Sequence, residues 1–451
     1  MTDLFRLGLH EIARGIRAGE LTSEALVQSC LQRTAAMEDR IGAWQWLDAE
    51  RALEHARTAD RALHAGHTPG WLHGVPVGVK DIVRTAGIPT EMGSTVFQGY
   101  VPERSAAVVR RLEAAGAFVL GKTVTAELAY FAPGKTRNPW NPAHTPGGSS
   151  SGSAAAVAAG FVPAALGTQT NGSVIRPAAF CGVVGFKPSA GLISREGVHP
   201  FSATLDQLGF FTRSVDDAAL MLAALAAPDR MDPGSLDAEM FPVVLPEVGA
   251  LPHAPNLAAV KSPVWHLAKD SQQRVFSDNV LSLRSAGAVV EEVELDEVFN
   301  QAHDIHRTIM YAEAARLLQD LQSQYRHALS DRLNNLIDEG LAITPQRYRD
   351  ALEQGEALRV ELDGLLGRFD AIITLPAAGE APATLEHTGD PAFCTIWTLC
   401  DVPAITIPVG LGPQGLPLGL QIVGRYLHDD ALLSITKWCA EALAFDVGFP
   451  A

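Results

Sequence analysis

Three short stretches hold residues able to do nucleophilic or acid–base chemistry. The most conspicuous is HTPGGSSSGSAAAVAAG, residues 144–160, where four serines fall within five positions after two glycines. The others are GVPVGVKD, which ends on Lys80 and Asp81, and LGTQTNGSVIRPAAFCG, residues 166–182, which holds Ser173. A serine hydroxyl attacks a carbonyl when a base takes its proton and N–H groups receive the oxyanion. A lysine can be that base only where burial lowers its pKa, so that the neutral amine is present near neutral pH.

As a strand, GVPVGVKD turns Val75, Val77 and Val79 to one face and Gly78 and Lys80 to the other. On spacing alone Lys80 reads as a snorkelling surface residue. In the second stretch, apolar residues run into Gly167, a polar loop covers 168–172, and Pro177 suits the first turn of a short helix. That order sets Ser173 beside backbone N–H groups that an anion can use, although taken alone Ser173 reads as a turn or cap serine.

Other patterns mislead. GAFVLGKT, residues 116–123, matches the phosphate-loop pattern G-x-x-x-x-G-K-[ST], but Ala117, Phe118, Val119 and Leu120 are themselves strand-like and a helix precedes them. GSSSG, residues 148–152, matches the nucleophile elbow with Ser150 at its centre, yet the preceding RNPWNPAHTPG holds three prolines and cannot be the central strand an elbow needs. His303 and His306, with His327 further on, lack the glutamate and third ligand of a metal motif and read as a partly exposed helix face.

The elements that must position these residues follow from the patterning. Residues 4–65 read as a helical lead-in, with Leu26, Cys30 and Leu31 at helical spacing and Thr22 as N-cap. From Leu72 to Val215, apolar runs such as FVLGK, AALGTQ and VVGFK alternate with helical segments, which is the pattern of an α/β fold with a largely parallel or mixed sheet. The proline-rich 227–263 reads as a surface crossing. LAAVKS and AVVEEVEL flank a helix over 271–286, residues 299–366 are mainly helical, and FDAIITLPA, PAITIPVG and LGLQIVG are late strands before a helix over 431–444. Strand-like runs at both ends imply one sheet built from distant segments. The expectation is a single domain over 1–451: lead-in 1–65, core 66–225, a variable helical region 226–366, and strands and helix over 367–451 that complete the core.

The 451 residues include 35 Lys plus Arg against 51 Asp plus Glu, a formal net charge of -16 with no basic run. This argues against nucleic acid and anionic membrane surfaces as main partners. Cys30, Cys181, Cys394, Cys400 and Cys439 form no C-x-x-C pair, which favours reduced thiols in a cytoplasmic protein. MTDLFRLGLHE lacks the pattern of a signal peptide, and the most apolar stretch, 154–167, is shorter than the ~20 residues of a membrane span.

The three stretches are more specific together than apart. A strand lysine, a Gly-Gly-Ser-Ser loop opening an alanine-rich helix, and Gly-Ser in a strand-to-helix loop 24 residues later resemble the amidase signature family. The likeness runs from Leu72 to Phe211 and returns in DAIITLPAAGEAP and DVPAITIPVGLGPQGLPLGLQIVG. It implies a large mixed sheet flanked by helices on both faces, a small-molecule amide or carbamate substrate, no cofactor or metal, and a monomer or homodimer. The family's Ser–cis-Ser–Lys triad falls on Ser173 as nucleophile, Ser149 as proton relay after a cis peptide bond, and Lys80 as base. Gly147 and Gly148 would make that backbone accessible, and the oxyanion hole maps to the N–H groups of Thr170, Asn171, Gly172 and Ser173. Specificity would come from Tyr130, Phe131 and parts of 299–345.

The sequence also departs from the family's usual G-T-D-T-G-G-S-I-R. Gln169 replaces the acid, Asn171 replaces the first of two glycines, and Arg176 comes one position late. Ser151 stands at a usual glycine position, so no positive φ is expected there. The resemblance leads first to an amidohydrolase working through a seryl acyl-enzyme. A second reading is the transamidation subunit of a glutamine-dependent amidotransferase, which shares the three positions, works with partner chains and feeds ammonia onward. A third is a catalytically silent binding homologue.

Overall fold

The computed structural model describes residues 3–242 and 244–451. Its strands are β1 (Trp44–Leu47), β2 (Pro76–Lys80), β3 (Phe118–Thr123), β4 (Ala164–Gln169), β5 (Val184–Lys187), β6 (Gln207–Thr212), β7 (Asn256–Lys261), β8 (Val289–Glu294), β9 (Ala371–Thr374), β10 (Ala404–Leu411) and β11 (Pro417–Val423). They form one sheet in the order β1-β3-β2-β4-β6-β5-β10-β11-β9-β7-β8. The sheet is mixed: β2 runs parallel to both β3 and β4, and β7 parallel to both β8 and β9, while the strands between them pair antiparallel.

Alternation along the strands divides the core between two faces. Val77, Val79, Leu166, Phe186 and Phe210 pack in one apolar cluster with the helices Leu9–Arg17, Ala107–Ala114 and Val215–Leu225. Phe118, Leu120, Ala165 and Phe211 pack in a second cluster on the opposite face. That face is filled by the helix Ser151–Ala158, every residue of which is buried. Its small side chains let it lie close: a Cβ on Gly152 would sit 2.4 Å from the carbonyl oxygen of Ala43. The helices Ala302–Tyr325, Asp331–Leu341 and Pro345–Leu366 make up the central helical region, the last two capped by the hydroxyls of Ser330 and Thr344. Among the described residues, no helix is long and apolar enough to cross a membrane.

Two strands escaped the sequence patterns. WQWL forms β1 inside the supposed all-helical lead-in and pairs antiparallel with β3. The segment is too short for alternation to register between two well-capped helices. QLGFFT forms β6, buried along its whole length, so it shows no alternation either. The phosphate-loop pattern is strand, as its residues indicate: Phe118–Thr123 is β3, and Lys122 is buried 3.2 Å from Asp81 rather than facing a phosphate cradle.

Candidate active site

Lys80 ends β2, fully buried. The surface reading from spacing is therefore wrong, because the face it shares with Gly78 is covered. A Cβ on Gly78 would already lie 3.1 Å from Thr123 and 3.2 Å from Ala165. Lys80 Nζ reaches Ser149 Oγ at 2.8 Å and Thr168 Oγ1 at 2.7 Å, and no carboxylate pairs with it among the described residues. Burial pushes its pKa well below the ordinary 10.5, opposed by the smaller pull of the Asp206 carboxylate.

The serine run is sorted by its hydrogen bonds. Gly147 has φ +84°, a conformation that suits glycine, and the Gly148–Ser149 peptide bond is cis, as the family resemblance implies. Ser150, the centre of the elbow pattern, is tied to β4: its hydroxyl donates to Thr168 O and accepts from Thr168 N, both at 3.2 Å. Ser153 donates to Leu166 O at 2.7 Å. Ser151 starts the alanine-rich helix with no positive φ, as its side chain requires. Ser149 alone of the run meets the lysine.

Between the end of β4 and the helix Ile175–Cys181 lies the loop that carries Ser173. Gln169 does there what a carboxylate would do: its Oε1 accepts from the N–H groups of Val174 and Ile175 at 2.8 and 3.0 Å. Its Nε2 donates to Thr398 Oγ1 at 3.0 Å. Thr170 Oγ1 donates to Asp206 at 2.6 Å, the Thr395 hydroxyl donates to Asn171 Oδ1 at 2.8 Å, and the Thr398 hydroxyl donates to Asn171 O at 2.6 Å. The loop is thus held through its side chains and carbonyls. Among the described residues, none of the N–H groups of Thr170, Asn171, Gly172 and Ser173 donates to another backbone group. Such unused donors in one turn are the raw material of an oxyanion site.

His306 corrects, for that one residue, the reading of a partly exposed helix face. It is buried, and its Nε2 lies 2.9 Å from Thr170 O, so Nε2 must carry the proton because a carbonyl only accepts. Burial lowers its pKa to about 4, which keeps it neutral. His303 Nε2 contacts Ala392 O at 3.0 Å. Sequence reasoning also missed Thr168 and Asp206. Thr168 lay within a motif already singled out, whereas nothing local marked Asp206 or His306.

Ser149, Ser173, Thr170 and Asn171 line one pocket of ≈ 20 Å³ together with Tyr130 and Phe131. Lys80 reaches this pocket through Ser149, and Gly172 belongs to the same turn. Tyr130 stacks on Phe201 at 5.4 Å between ring centroids, and its hydroxyl lies 3.1 Å from that of Tyr311 on the long central helix. Leu128 (φ +45°) and Ala129 (φ +64°) adopt the left-handed conformation just before the two aromatics, a strained approach that concentrates at functional sites. A larger cavity of ≈ 360 Å³ shares Ala129, Thr170 and Phe201 as its wall with the small pocket.

The family model described as Amidase matches residues 25–433, and the chain belongs to that family. A glutamyl-tRNA(Gln) amidotransferase subunit of Anaeromyxobacter dehalogenans is 35% identical, over 96% of this chain and 96% of that one. Among solved structures, native peptide amidase from Stenotrophomonas maltophilia superposes with a TM-score of 0.85 at 30% identity, covering 98% of each chain. A chain from a vestigial protein complex, described for the evolutionary origins of an s-triazine catabolic enzyme, superposes with a TM-score of 0.89 at 25% identity, covering 99% of this chain and 100% of that one.

Proposed function

We propose that the chain cleaves a carboxamide or amide-like bond through a seryl acyl-enzyme on Ser173. The observation that carries this reading is the fully buried Lys80, which makes no ion pair among the described residues and lies 2.8 Å from Ser149, which shares its pocket with Ser173. Ser149 gives its proton to neutral Lys80 while taking the proton of Ser173, and Ser173 Oγ forms a bond to the substrate carbonyl carbon. The oxyanion is received by the N–H groups of Thr170, Asn171, Gly172 and Ser173. As the C–N bond breaks, the proton returns from Lys80 through Ser149 to the leaving nitrogen. Water, deprotonated by the same relay, then attacks the acyl-enzyme, releases the acid and restores Ser173. Tyr130 and Phe131 form the wall against which the substrate packs.

Where the nitrogen goes defines two readings. The peptide amidase similarity supports a free-standing hydrolase, with release to water. The names of the curated relatives, similar along nearly the whole chain, favour the second: a subunit that frees ammonia from an amide and passes it to a partner chain. The chemistry on Ser173 is common to both. The deciding measurement is ammonia or amine release by the purified chain from a panel of aryl amides, aliphatic amides including glutamine, carbamates, ureas and esters. Turnover without a partner selects the hydrolase, and release that depends on partner chains selects the amidotransferase reading. In either case a serine-directed reagent should label Ser173, and full activity in Ser173→Ala would remove the mechanism.

A further inference from the structure

Three successive carbonyls of the turn that carries Ser173 are tied down. Thr170 O accepts from His306 Nε2 at 2.9 Å, Asn171 O from the Thr398 hydroxyl at 2.6 Å, and Gly172 O from the Arg176 N–H at 3.0 Å. These peptide units are trans. A trans unit is planar, and its C=O and N–H point in opposite directions. Each donor that holds a carbonyl therefore also aims the N–H of the following residue. His306 aims that of Asn171, Thr398 that of Gly172, and the first turn of the helix Ile175–Cys181 that of Ser173. None of those three N–H groups donates to a backbone group among the described residues.

The third tether belongs to the turn and its own helix, but the first two arrive from distant parts of the chain. His306 lies on the helix Ala302–Tyr325 and Thr398 on the short helix Thr395–Leu399, and both side chains are buried. Met310 follows His306 by one turn on the same helix face and lines the pocket of Ser173, so the imidazole reaches Thr170 from an element that already borders the site. A residue that only filled this space would need no ring nitrogen, and an apolar side chain would avoid the cost of burying one. The neutral imidazole brings an N–H to the carbonyl without adding a charge to the turn.

We propose that His306 and Thr398 are positioning residues of the oxyanion site: by holding Thr170 O and Asn171 O they aim the N–H groups of Asn171 and Gly172 at the charge that develops on the substrate oxygen. Neither side chain touches the reacting atoms. The inference rests on the reading of Ser173 as nucleophile.

The test is labelling of the full chain by phenylmethylsulfonyl fluoride, which needs neither substrate nor partner. Ser173 Oγ forms a bond to sulfur, the S–F bond breaks, fluoride leaves, and the hydroxyl proton passes through Ser149 to Lys80. A sulfonyl oxygen gains negative charge in that step, as the carbonyl oxygen of an amide does. Mass spectrometry of the labelled chain gives the limiting rate, kinact, and the half-saturating concentration, KI. His306→Leu should lower kinact roughly 10-fold or more, short of the about 10²–10³ that outright loss of an oxyanion donor costs, and leave KI near its parent value. His306→Gln, whose amide can place an N–H close to that of Nε2, should recover most of kinact. Thr398→Val should resemble His306→Leu. Thr395→Val removes a hydroxyl from Asn171 Oδ1 instead of the carbonyl and should leave kinact near that of the parent. A parent-like kinact in His306→Leu overturns the role of His306, and a rise in KI alone makes the residue a wall of the pocket. If His306→Leu does not fold, the two threonine variants decide, and equal kinact in both overturns the proposal. Failure of the nucleophile reading is seen separately, as absence of label on Ser173 in the parent, and it removes this inference too.

Discussion

Two buried lysines lie on neighbouring strands, and their polar partners differ. Lys80 ends β2, while Lys122 sits on β3 opposite Val79, and both are fully buried. Lys122 has Asp81 at 3.2 Å, with Val83 O at 2.9 Å and Thr90 Oγ1 at 2.6 Å. Lys80 has two hydroxyls and, among the described residues, no ion pair. Burial lowers both pKa values, but Asp81 partly restores Lys122, which stays at about 8, whereas Lys80 falls well below its ordinary value. At neutral pH the paired lysine is a charged strut. The unpaired lysine beside Ser149 gives up its proton far more readily, which is what a base requires. The two lysines thus differ in proton affinity with the presence of one ion pair, and the proposed function assigns the role of base to the one without it.

The sharpest break of this comparison is Lys80→Met. Loss of the base should reduce turnover about 10²–10⁴-fold. The same substitution should raise stability, by about 0.5–2 kcal/mol, because it relieves the cost of burying the amine. The sign follows from linkage. The unfolded chain protonates Lys80 below 10.5 and the folded chain does not until a much lower pH, so folding releases a proton and the parent gains stability as pH rises. The advantage of Lys80→Met should be greatest at low pH and narrow towards 10.5; denaturant titrations across pH that show no such narrowing would contradict a neutral Lys80. In the parent, kcat/KM should fall as pH drops through the Lys80 pKa.

Asp81→Asn attacks the other lysine. Stripping the charge from a buried pair leaves Lys122 uncompensated, at a cost of about 3–5 kcal/mol of stability. The pH at which kcat/KM falls should not move, since Lys80 does not depend on Asp81. A shift of that midpoint would mean that the two lysines act as one network.

The site was readable in parts, for physical reasons. Ser149, Ser173 and Lys80 fall in short motifs whose glycines and spacing are local properties of the chain. Strand alternation gave the face of Lys80 but not what covers that face, since the covering helix Ser151–Ala158 comes some 70 residues later. Gln169 was a departure of unknown effect in the sequence and proves to be a helix cap, which becomes visible only when Val174 and Ile175 turn their N–H groups to it. His306 meets Thr170 across 136 residues, and no local pattern encodes that contact. The strands β1 and β6 were hidden for a related reason: one is too short and the other too uniformly buried for period two to show.

The finest test trims one hydroxyl from each lysine. Thr168→Val and Thr90→Val keep the side-chain shape and remove a single partner at 2.7 Å and 2.6 Å respectively. Each should cost about 1 kcal/mol of stability, Thr90→Val somewhat more because its hydroxyl also donates to Ile88 O at 3.3 Å. They should part in the pH profile of kcat/KM. The Thr168 hydroxyl accepts from the ammonium form of Lys80, so its loss destabilises the protonated state and lowers the pKa further. Thr168→Val should therefore move the acid limb to lower pH by a fraction of a unit, with a change in the plateau rate of roughly 10-fold or less. Thr90→Val should leave the limb in place, because Lys122 stays charged and apart from the relay. An equal displacement in both variants would show that the hydroxyls act through the strands as a whole, and not through the lysine each one touches.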